Sequence, residues 1–288
     1  AHLGNFGGFA TPERNLIFDL NDFDETLQGP WEWDVKRLAA SVFVCGRVNG
    51  LSDHRCRDAV RKTVRIYRER MWVYAEMRYL DIWYERIDAE QAVDHGGSGL
   101  EPLERAFIKG RRKTNVESLP KYAELVDGVW IMIDEPPLLT HRVKALAAGF
   151  SEFFASYKES LSEDRRTIVE RYRLVDLARK VVGIGSVGTR CYVALFLGSH
   201  DDDPLFLQVK EARRSVLAHA LGRGPHAHHG ERVVAGQRIM QSASDPFLGW
   251  ARIGRGYYYV RQLRDMKSTV ALDRLDAKEL ADYGSLCE

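Results

Sequence analysis

The sequence lacks several patterns that would assign it to a specialised class of protein. Its four cysteines are far apart and form no CxxC pair, so their spacing indicates neither a zinc site nor a disulfide framework. No apolar run approaches the roughly 20 residues that a membrane helix requires. The first residues also lack the charged and then apolar order of a secretory signal. These absences predict a soluble, cytoplasmic protein.

A net charge of one sign is also missing. The 42 basic and 41 acidic side chains leave a formal charge of +1. Nucleic acids and anionic membranes are usually bound through a broad basic field, so neither is predicted as a partner. Any anionic ligand must therefore be held by a local group of residues. With 45% hydrophobic residues, the chain can form one large or two modest cores.

Helical periodicity dominates the first part of the chain. Between Trp33 and about Ile87, apolar residues recur at steps of three and four, which predicts helices with a buried stripe. Residues 141–179 are also predicted to be helical, with one helix opening at Ser162. The members of the predicted stripe are Val60, Val64, Tyr67, Met71 and Tyr74.

Short strand-like runs dominate the second part. Runs of β-branched and aromatic residues at 181–182, 191–197, 205–209, 248–253 and 257–263 are separated by turn residues. One helix is predicted near residues 231–242 and a last one from Asp276. The fold class predicted from this order is α+β, with a mostly helical lobe followed by a small antiparallel β lobe.

A glycine loop, GIGSVG, supplies the first functional motif. Gly183, Gly185 and Gly188 have the GxGxxG spacing, and Ser186 lies within it. Glycines permit backbone N–H groups to approach phosphate oxygens. A dinucleotide site needs a helix after this loop, whereas residues 191–197 are strand-like. A glycine-rich loop between two strands resembles that of protein kinases.

The kinase resemblance implies further residues in a set order. A lysine on the third strand should hold the ATP phosphates, and Lys210 ends an apolar run. A helix with a glutamate should follow, and Glu231 opens the next helical segment, so Lys210 and Glu231 are expected to pair. Glu211 is a rival that lies on the same strand as the lysine. Two more strands then follow as the resemblance requires.

The opening residues resemble the catalytic loop of aminoglycoside and choline phosphotransferases. AHLGN matches the xHxxN part of that motif, and LIFD matches a strand ending in a metal-binding aspartate. This resemblance implies that Asn5 and Asp19 bind Mg²⁺, with Asp22 as a further metal or outer-shell candidate. His2 would hold the loop, and Asp34 would accept backbone N–H groups that brace it. The alternative is a solvated acidic turn without a metal.

The whole chain resembles the bacterial family of unknown function 2252, DUF2252. The segments HLGNFG, FDLNDFDETLQGPWEWDVKRLAAS, GIGSVGTRCYV, LQVKEA and GERVVAGQRIMQSASDPFLGW carry the resemblance in the family's order. It implies a Gly-Asp pair before Ala1 and further chain after Glu288, so truncation at both ends is expected. The Asp of that pair would be the catalytic base, and without it the chain is expected to be inactive.

The catalytic-loop motif precedes the glycine loop, which reverses the kinase order. A circular permutation would explain this, or one of the two matches is coincidental. The predicted parts are residues 1–178, with the catalytic loop and helical lobe; 179–265, a nucleotide-binding β lobe with one helix; and 266–288, the start of another helical segment.

Three functions remain open. The leading prediction is an ATP- and Mg²⁺-dependent phosphotransferase with a small-molecule or protein acceptor. A non-catalytic, nucleotide-binding pseudokinase and a dinucleotide-binding oxidoreductase are the alternatives.

Overall fold

The computed structural model describes residues 1–95, 100–141, 147–181, 188–263 and 266–287. Within these ranges the chain is α+β, with antiparallel strands throughout. The helices are α1 (Glu32–Val48), α2 (Asp53–Glu76), α3 (Tyr79–Tyr84), α4 (Ala89–His95), α5 (Glu101–Arg111), α6 (Asn115–Tyr122), α7 (Ala147–Glu159), α8 (Glu163–Val169), α9 (Ala218–Leu221), α10 (His229–Met240) and α11 (Ala277–Leu286). The strands are β1 (Phe6–Ala10), β2 (Leu16–Leu20), β3 (Ile87–Asp88), β4 (Ala123–Val126), β5 (Val129–Met132), β6 (Leu139–Thr140), β7 (Arg173–Lys180), β8 (Cys191–Leu197), β9 (Pro204–Ala212), β10 (Gly249–Ile253) and β11 (Gly256–Gln262).

One apolar core lies around the three-stranded sheet β1-β2-β3 and the helices α1, α2, α5 and α11. The last helix begins where the sequence predicts, because Asp276 and Glu279 form a reciprocal capping box. Its buried face packs on α1 and α2, with Leu280 and Tyr283 in the core. The segment after residue 266 thus shares its core with the first helices. None of the helices described is both long and apolar enough to cross a bilayer.

The stripe predicted on α2 does not form its buried face. The residues of α2 that are buried are Cys56, Ala59 and Thr63, whereas Val64 and Met71 are exposed. The helix contacts α1 and α11 mainly along its first half, since small side chains there allow close approach. Val60, the first residue of the predicted stripe, does pack against the core while partly buried. The prediction is therefore wrong for Val64 and Met71 only.

A second layer is a six-stranded sheet with the order β10-β11-β9-β8-β7-β6. One face packs on α7 through aromatic side chains such as Phe153 and Tyr258. The other face packs on α10 through Val233, Val234 and Leu248. The strand β8 coincides with the predicted run at 191–197. The helix α7 thus covers one face, and α10 covers the other face at the end formed by β10, β11 and β9.

The helical region predicted at 141–179 ends earlier than expected. The helix α8 begins after Ser162 as predicted, but Arg173–Lys180 forms β7 instead of continuing a helix. This strand pairs with β8 along most of its length, and such pairing with a buried neighbour overrides local helix preference. The sheet therefore starts before residue 179, and the division into three parts stays a prediction.

Candidate functional site

Four polar side chains lie side by side on the face of the sheet that also carries α10. Lys210 on β9 is opposite Tyr259 on β11, and Gln208 is opposite Arg261. Residues two apart on a strand share a face, so the register places all four together. The Arg261 guanidinium donates to Gln208 Oε1 at 3.0 Å. A polar patch therefore interrupts an otherwise apolar sheet.

The acidic loop after β2 lies against this patch. Asp24 accepts a hydrogen bond from the Lys210 ammonium, and the Tyr259 hydroxyl donates to Asp24 Oδ1 at 3.0 Å. The Lys210 side chain is only 11% exposed and that of Asp24 29%, so water screens this ion pair only in part. Arg261 also donates to the Asn21 carbonyl at 3.3 Å. The acidic loop is therefore bound to the sheet through hydrogen bonds from Lys210, Tyr259 and Arg261.

The turn that precedes β1 brings a third element to the same place. Asn5 Nδ2 donates to Asp22 Oδ2 at 3.0 Å, while Asn5 Oδ1 accepts from the His2 main chain at 2.8 Å. His2 Nδ1 accepts from Gly4 N at 3.1 Å, which closes a capping box on the short 3-10 helix Leu3–Asn5. His2 thus makes the contacts that a residue bracing this turn requires. We name the group Asn5, Asp22, Asp24, Lys210, Tyr259 and Arg261 the interlobe cluster. It also includes Lys267, whose charge interacts with those of Arg261 and Asp22.

The charges of the interlobe cluster shift the pKa values of its members. Loss of hydration raises the pKa of Asp22, and its hydrogen bond with Asp24 and the negative charge there raise it further. The Lys210 ammonium keeps the pKa of Asp24 below its usual range despite the loss of hydration. The Arg261 charge, loss of hydration and the Lys210 charge lower the pKa of Lys267 to about 7. The acidic and basic groups of the cluster, with Asp245 acting on Arg261 as well, therefore perturb one another strongly.

A buried arginine fixes the acidic loop to α10. The Arg232 guanidinium donates to the Asp24 carbonyl at 2.8 Å, to the Arg213 carbonyl at 2.8 Å and to the Thr26 carbonyl. Gly236, one turn further along α10, lies so close to the loop that a Cβ there would overlap the Thr26 side chain. The position of Asp24 is thus set by α10 as well as by Lys210.

The expected pairing of Lys210 with Glu231 is wrong in this structure. Glu231 lies in the first turn of α10, 3.6 Å from His226, and its side chain is 38% exposed. The helix turns its neighbours Gly230 and Arg232 inward, so Glu231 points to the other side. Glu211, the rival acid, accepts from the main chain of Arg190. The acidic partner of Lys210 is therefore Asp24, whereas the kinase resemblance implied a glutamate on a helix.

Asp19 is also placed differently from the prediction. Its Oδ2 accepts from both the main chain and the hydroxyl of Ser242 at 3.0 Å, and its Oδ1 accepts from Leu20 N at 2.6 Å. These bonds tie β2 to the end of α10 and turn Asp19 away from the interlobe cluster. Of the three predicted metal ligands, the structure therefore brings Asn5 and Asp22 together without Asp19. Asp34 accepts from the main-chain nitrogen of Ala1.

The glycine loop is described only at its end. Gly183, Gly185 and Ser186 lie outside the described residues. Gly188 has a φ of +88°, a backbone conformation that favours glycine over other residues. The strand β8 begins three residues later, so a strand follows Gly188.

The donor set of the interlobe cluster can be compared with the needs of Mg²⁺. This ion is usually bound through one or two carboxylates together with waters and phosphate oxygens. Asp22 and Asp24 offer carboxylate oxygens of this type, and Asn5 would have to rotate its amide, because its Oδ1 now accepts from the His2 main chain and its Nδ2 faces Asp22. No group of three acidic, His or Cys side chains arranged for a metal exists among the described residues. The residues therefore suit an ion shared with a phosphate ligand better than a permanent structural metal.

Comparison with known proteins identifies the family. The sequence profile described as "Uncharacterized protein conserved in bacteria (DUF2252)" matches residues 1–288. The chain belongs to the DUF2252 family. No curated protein and no solved structure matches significantly. The family resemblance seen in the sequence is thus confirmed, while the likeness to kinases stays a prediction.

Four members of the interlobe cluster in this DUF2252 protein were not found by sequence reasoning: Asp24, Tyr259, Arg261 and Lys267. Two had a local signal, because Tyr259 and Arg261 alternate in a strand and so share a face. Asp24 lies two residues after Asp22, the same spacing that separates Tyr259 from Arg261. Lys267 had no such signal, since its place depends on where the chain goes after β11.

Proposed function

We propose that this protein is an ATP- and Mg²⁺-dependent phosphotransferase with a kinase-like, circularly permuted fold. The observation that carries the proposal is the meeting of Lys210, Asp24, Asp22 and Asn5 in one cluster. These residues come from the two motifs that resemble the two halves of a phosphotransferase site. Two coincidental matches would have no reason to lie side by side.

The order of elements around the cluster supports the proposal. The hairpin β7 and β8 is followed by β9 with Lys210, then by α10, and then by β10 and β11. This is the order that the kinase resemblance implies for a nucleotide-binding lobe. The turn with Asn5 and the loop with Asp22 come first along the chain but lie against this lobe. A permutation explains how a reversed chain order leaves the site intact.

In the proposed mechanism, Lys210 exchanges Asp24 for the phosphate chain of ATP and orients it. Asp22 would hold Mg²⁺ together with Asn5, whose amide would first rotate to turn its oxygen toward Asp22. The ion would supply charge neutralisation for the phosphates when bound. His2 keeps Asn5 in place through the capped turn. Asp19 has a structural role, because Ser242 and Leu20 occupy both of its oxygens. Proton removal from the acceptor would fall to the Asp that the family resemblance places before Ala1.

A calorimetric titration with ATP, in the presence and absence of Mg²⁺, tests the proposal. Wild type should bind with a strong dependence on Mg²⁺, and Lys210→Ala should weaken binding at least tenfold. Lys62→Ala is the matched control, because Lys62 also forms an ion pair with a partly buried aspartate, Asp282, but on α2 and α11. Equal binding by wild type and Lys210→Ala, or binding by neither, would refute the proposal.

A pseudokinase is the second candidate, and one observation favours it. The helix α10 turns no glutamate toward Lys210, because its buried residues are Gly230, Arg232, Val233, Val234 and Gln237. The two candidates differ in turnover. A chain extended by the Gly-Asp pair before Ala1 should transfer or hydrolyse the γ-phosphate if the protein is an enzyme. It should bind ATP without turnover if the protein is a pseudokinase.

The oxidoreductase alternative is less favoured. A dinucleotide loop requires a helix directly after its last glycine, and β8 occupies that position.

A further inference from the structure

The last turns of α2 extend beyond the helix on which the first half of α2 packs. Residues 49–52 join α1 to α2, and such a short connection makes the two helices antiparallel. Trp31, at the start of α1, stacks on Tyr67 of α2 with ring centroids 5.7 Å apart. Residues 68–76 therefore continue past the start of α1, and every one of them except Tyr74 is exposed. We name this end of α2 together with α3, residues 68–84, the arm.

The arm leaves a large apolar area uncovered. Its exposed apolar side chains are Met71, Trp72, Val73, Tyr79, Leu80, Trp83 and Tyr84. The four aromatic ones are 70% to 92% exposed, and since a buried aromatic side chain covers roughly 150–250 Å², they alone offer about 600 Å². The three aliphatic side chains bring the area close to the roughly 800 Å² that each partner contributes to a standard interface. A soluble protein rarely leaves so much apolar surface in one segment without a partner.

An apolar groove lies between α1 and α2, nearer the start of α2. Its volume is about 360 Å³, and it is lined by Ala39, Ala40, Phe43, Arg57, Val60 and Arg61. Val60 also begins the apolar stripe that continues through Val64, Tyr67 and Met71 at steps of three and four residues, so these side chains share one face of α2. Trp72 lies about 18 Å further along the helix axis than Val60. The stripe therefore links the groove to the arm.

The charge of this surface changes sign along its length. Residues 53–70 carry seven Lys and Arg and three Asp and Glu side chains, whereas residues 71–88 carry two and four. Two copies related by a two-fold axis would run antiparallel and so place the basic half of each against the acidic half of the other. An anionic membrane is a poorer partner, because amphipathic segments that bind it are usually basic, and the arm side is acidic.

We propose that this surface is a symmetric interface with a second copy of the chain, in which the arm of each copy packs on the groove of the other. One such pairing covers both arms and both grooves, and it brings opposite charges together at both ends. The interface shares no residue with the interlobe cluster. The inference therefore goes beyond the proposed phosphotransferase and stands or falls independently of it.

Analytical ultracentrifugation at protein concentrations from about 0.1 to 100 µM tests the proposal. Wild type should approach twice the 32.9 kDa of one chain. Trp72→Glu in the arm and Ala40→Glu in the groove should each weaken dimerisation by about tenfold or more. Both residues are exposed, so the variants should keep the circular dichroism of wild type. Ile239→Glu is the matched control, because this side chain on α10 is 73% exposed, and it should dimerise as wild type does.

A mixture of the two variants makes the test specific for the pairing of arm and groove. In a mixed dimer the intact arm of Ala40→Glu meets the intact groove of Trp72→Glu, so the mixture should associate more tightly than either variant alone. No gain on mixing would overturn this pairing. A wild type that stays monomeric at every concentration, a dimer that neither variant weakens, or open assemblies that grow with concentration would refute the symmetric interface. Binding of a monomeric wild type to vesicles of phosphatidylserine and phosphatidylcholine, lost in Trp72→Glu, would refute it in favour of a membrane contact.

Discussion

Replacing Arg232 by methionine tests how the acidic loop is held in place. The side chain is 6% exposed and donates to three main-chain carbonyls, those of Asp24, Thr26 and Arg213. Methionine keeps most of the apolar volume and cannot donate. All three carbonyls would lose a partner in a region from which water is largely excluded, and such a loss is strongly destabilising.

The size of the effect follows from the number of bonds. A net contribution of roughly 1–1.5 kcal/mol for each of the three bonds gives a decrease of about 3–4.5 kcal/mol in the free energy of unfolding. Arg238→Met is the matched control on the same helix, because Arg238 is exposed and donates to one carbonyl, that of Leu248, at 2.7 Å. That variant should lose about 1 kcal/mol.

Urea unfolding followed by tryptophan fluorescence measures both values, and hydrogen exchange locates the change. In Arg232→Met the amide of Thr26, which donates to Phe23 O at 3.0 Å in the folded protein, should exchange faster than in wild type. In Arg238→Met it should exchange at the wild-type rate. The reasoning is refuted if Arg232→Met loses no more stability than the control, or if the Thr26 amide remains fully protected.

Two further predictions concern the same loop. Asp22→Asn should raise the urea midpoint at pH 7, because the pKa of Asp22 is raised in the folded state and its ionisation therefore costs stability above that pKa. The gain should shrink as the pH falls through the raised pKa of Asp22, because the wild-type carboxylate then takes up its proton, and a gain that is constant with pH would contradict this. Gly236→Ala should lose about 1–3 kcal/mol, because the added methyl group meets the Thr26 side chain. Gly149→Ala, also on a helix, meets only Ile253 at 3.9 Å and should gain up to about 1 kcal/mol; equal effects of the two alanines would contradict the packing argument.

Much of the local structure could be predicted because its signals are local. The run at 191–197 is a strand in the structure as in the prediction, and α11 begins after its capping residue Asp276. The helix prediction was wrong for Arg173–Lys180, because this segment becomes a strand through pairing with β8. Such a long-range contact leaves no local signal. The prediction of the buried face of α2 was wrong for Val64 and Met71. Helical periodicity shows that a helix has an apolar face and does not show which part of that face meets the core.

Some features of the candidate site could likewise be predicted from local sequence, and others depend on contacts between distant residues. Asn5, Asp22 and Lys210, whose side chains suit phosphate chemistry, and the family membership of the chain could be recognised before the fold was known. Their partners could not, because folding pairs Lys210 with Asp24, 186 residues away along the chain, and leaves Glu231 outside the cluster. It also brought the charge of Lys267 close enough to interact with Asp22 and Arg261. The physical reason is that a charge selects its partner by proximity in space, and packing of the sheet, the loop and α10 determines that proximity.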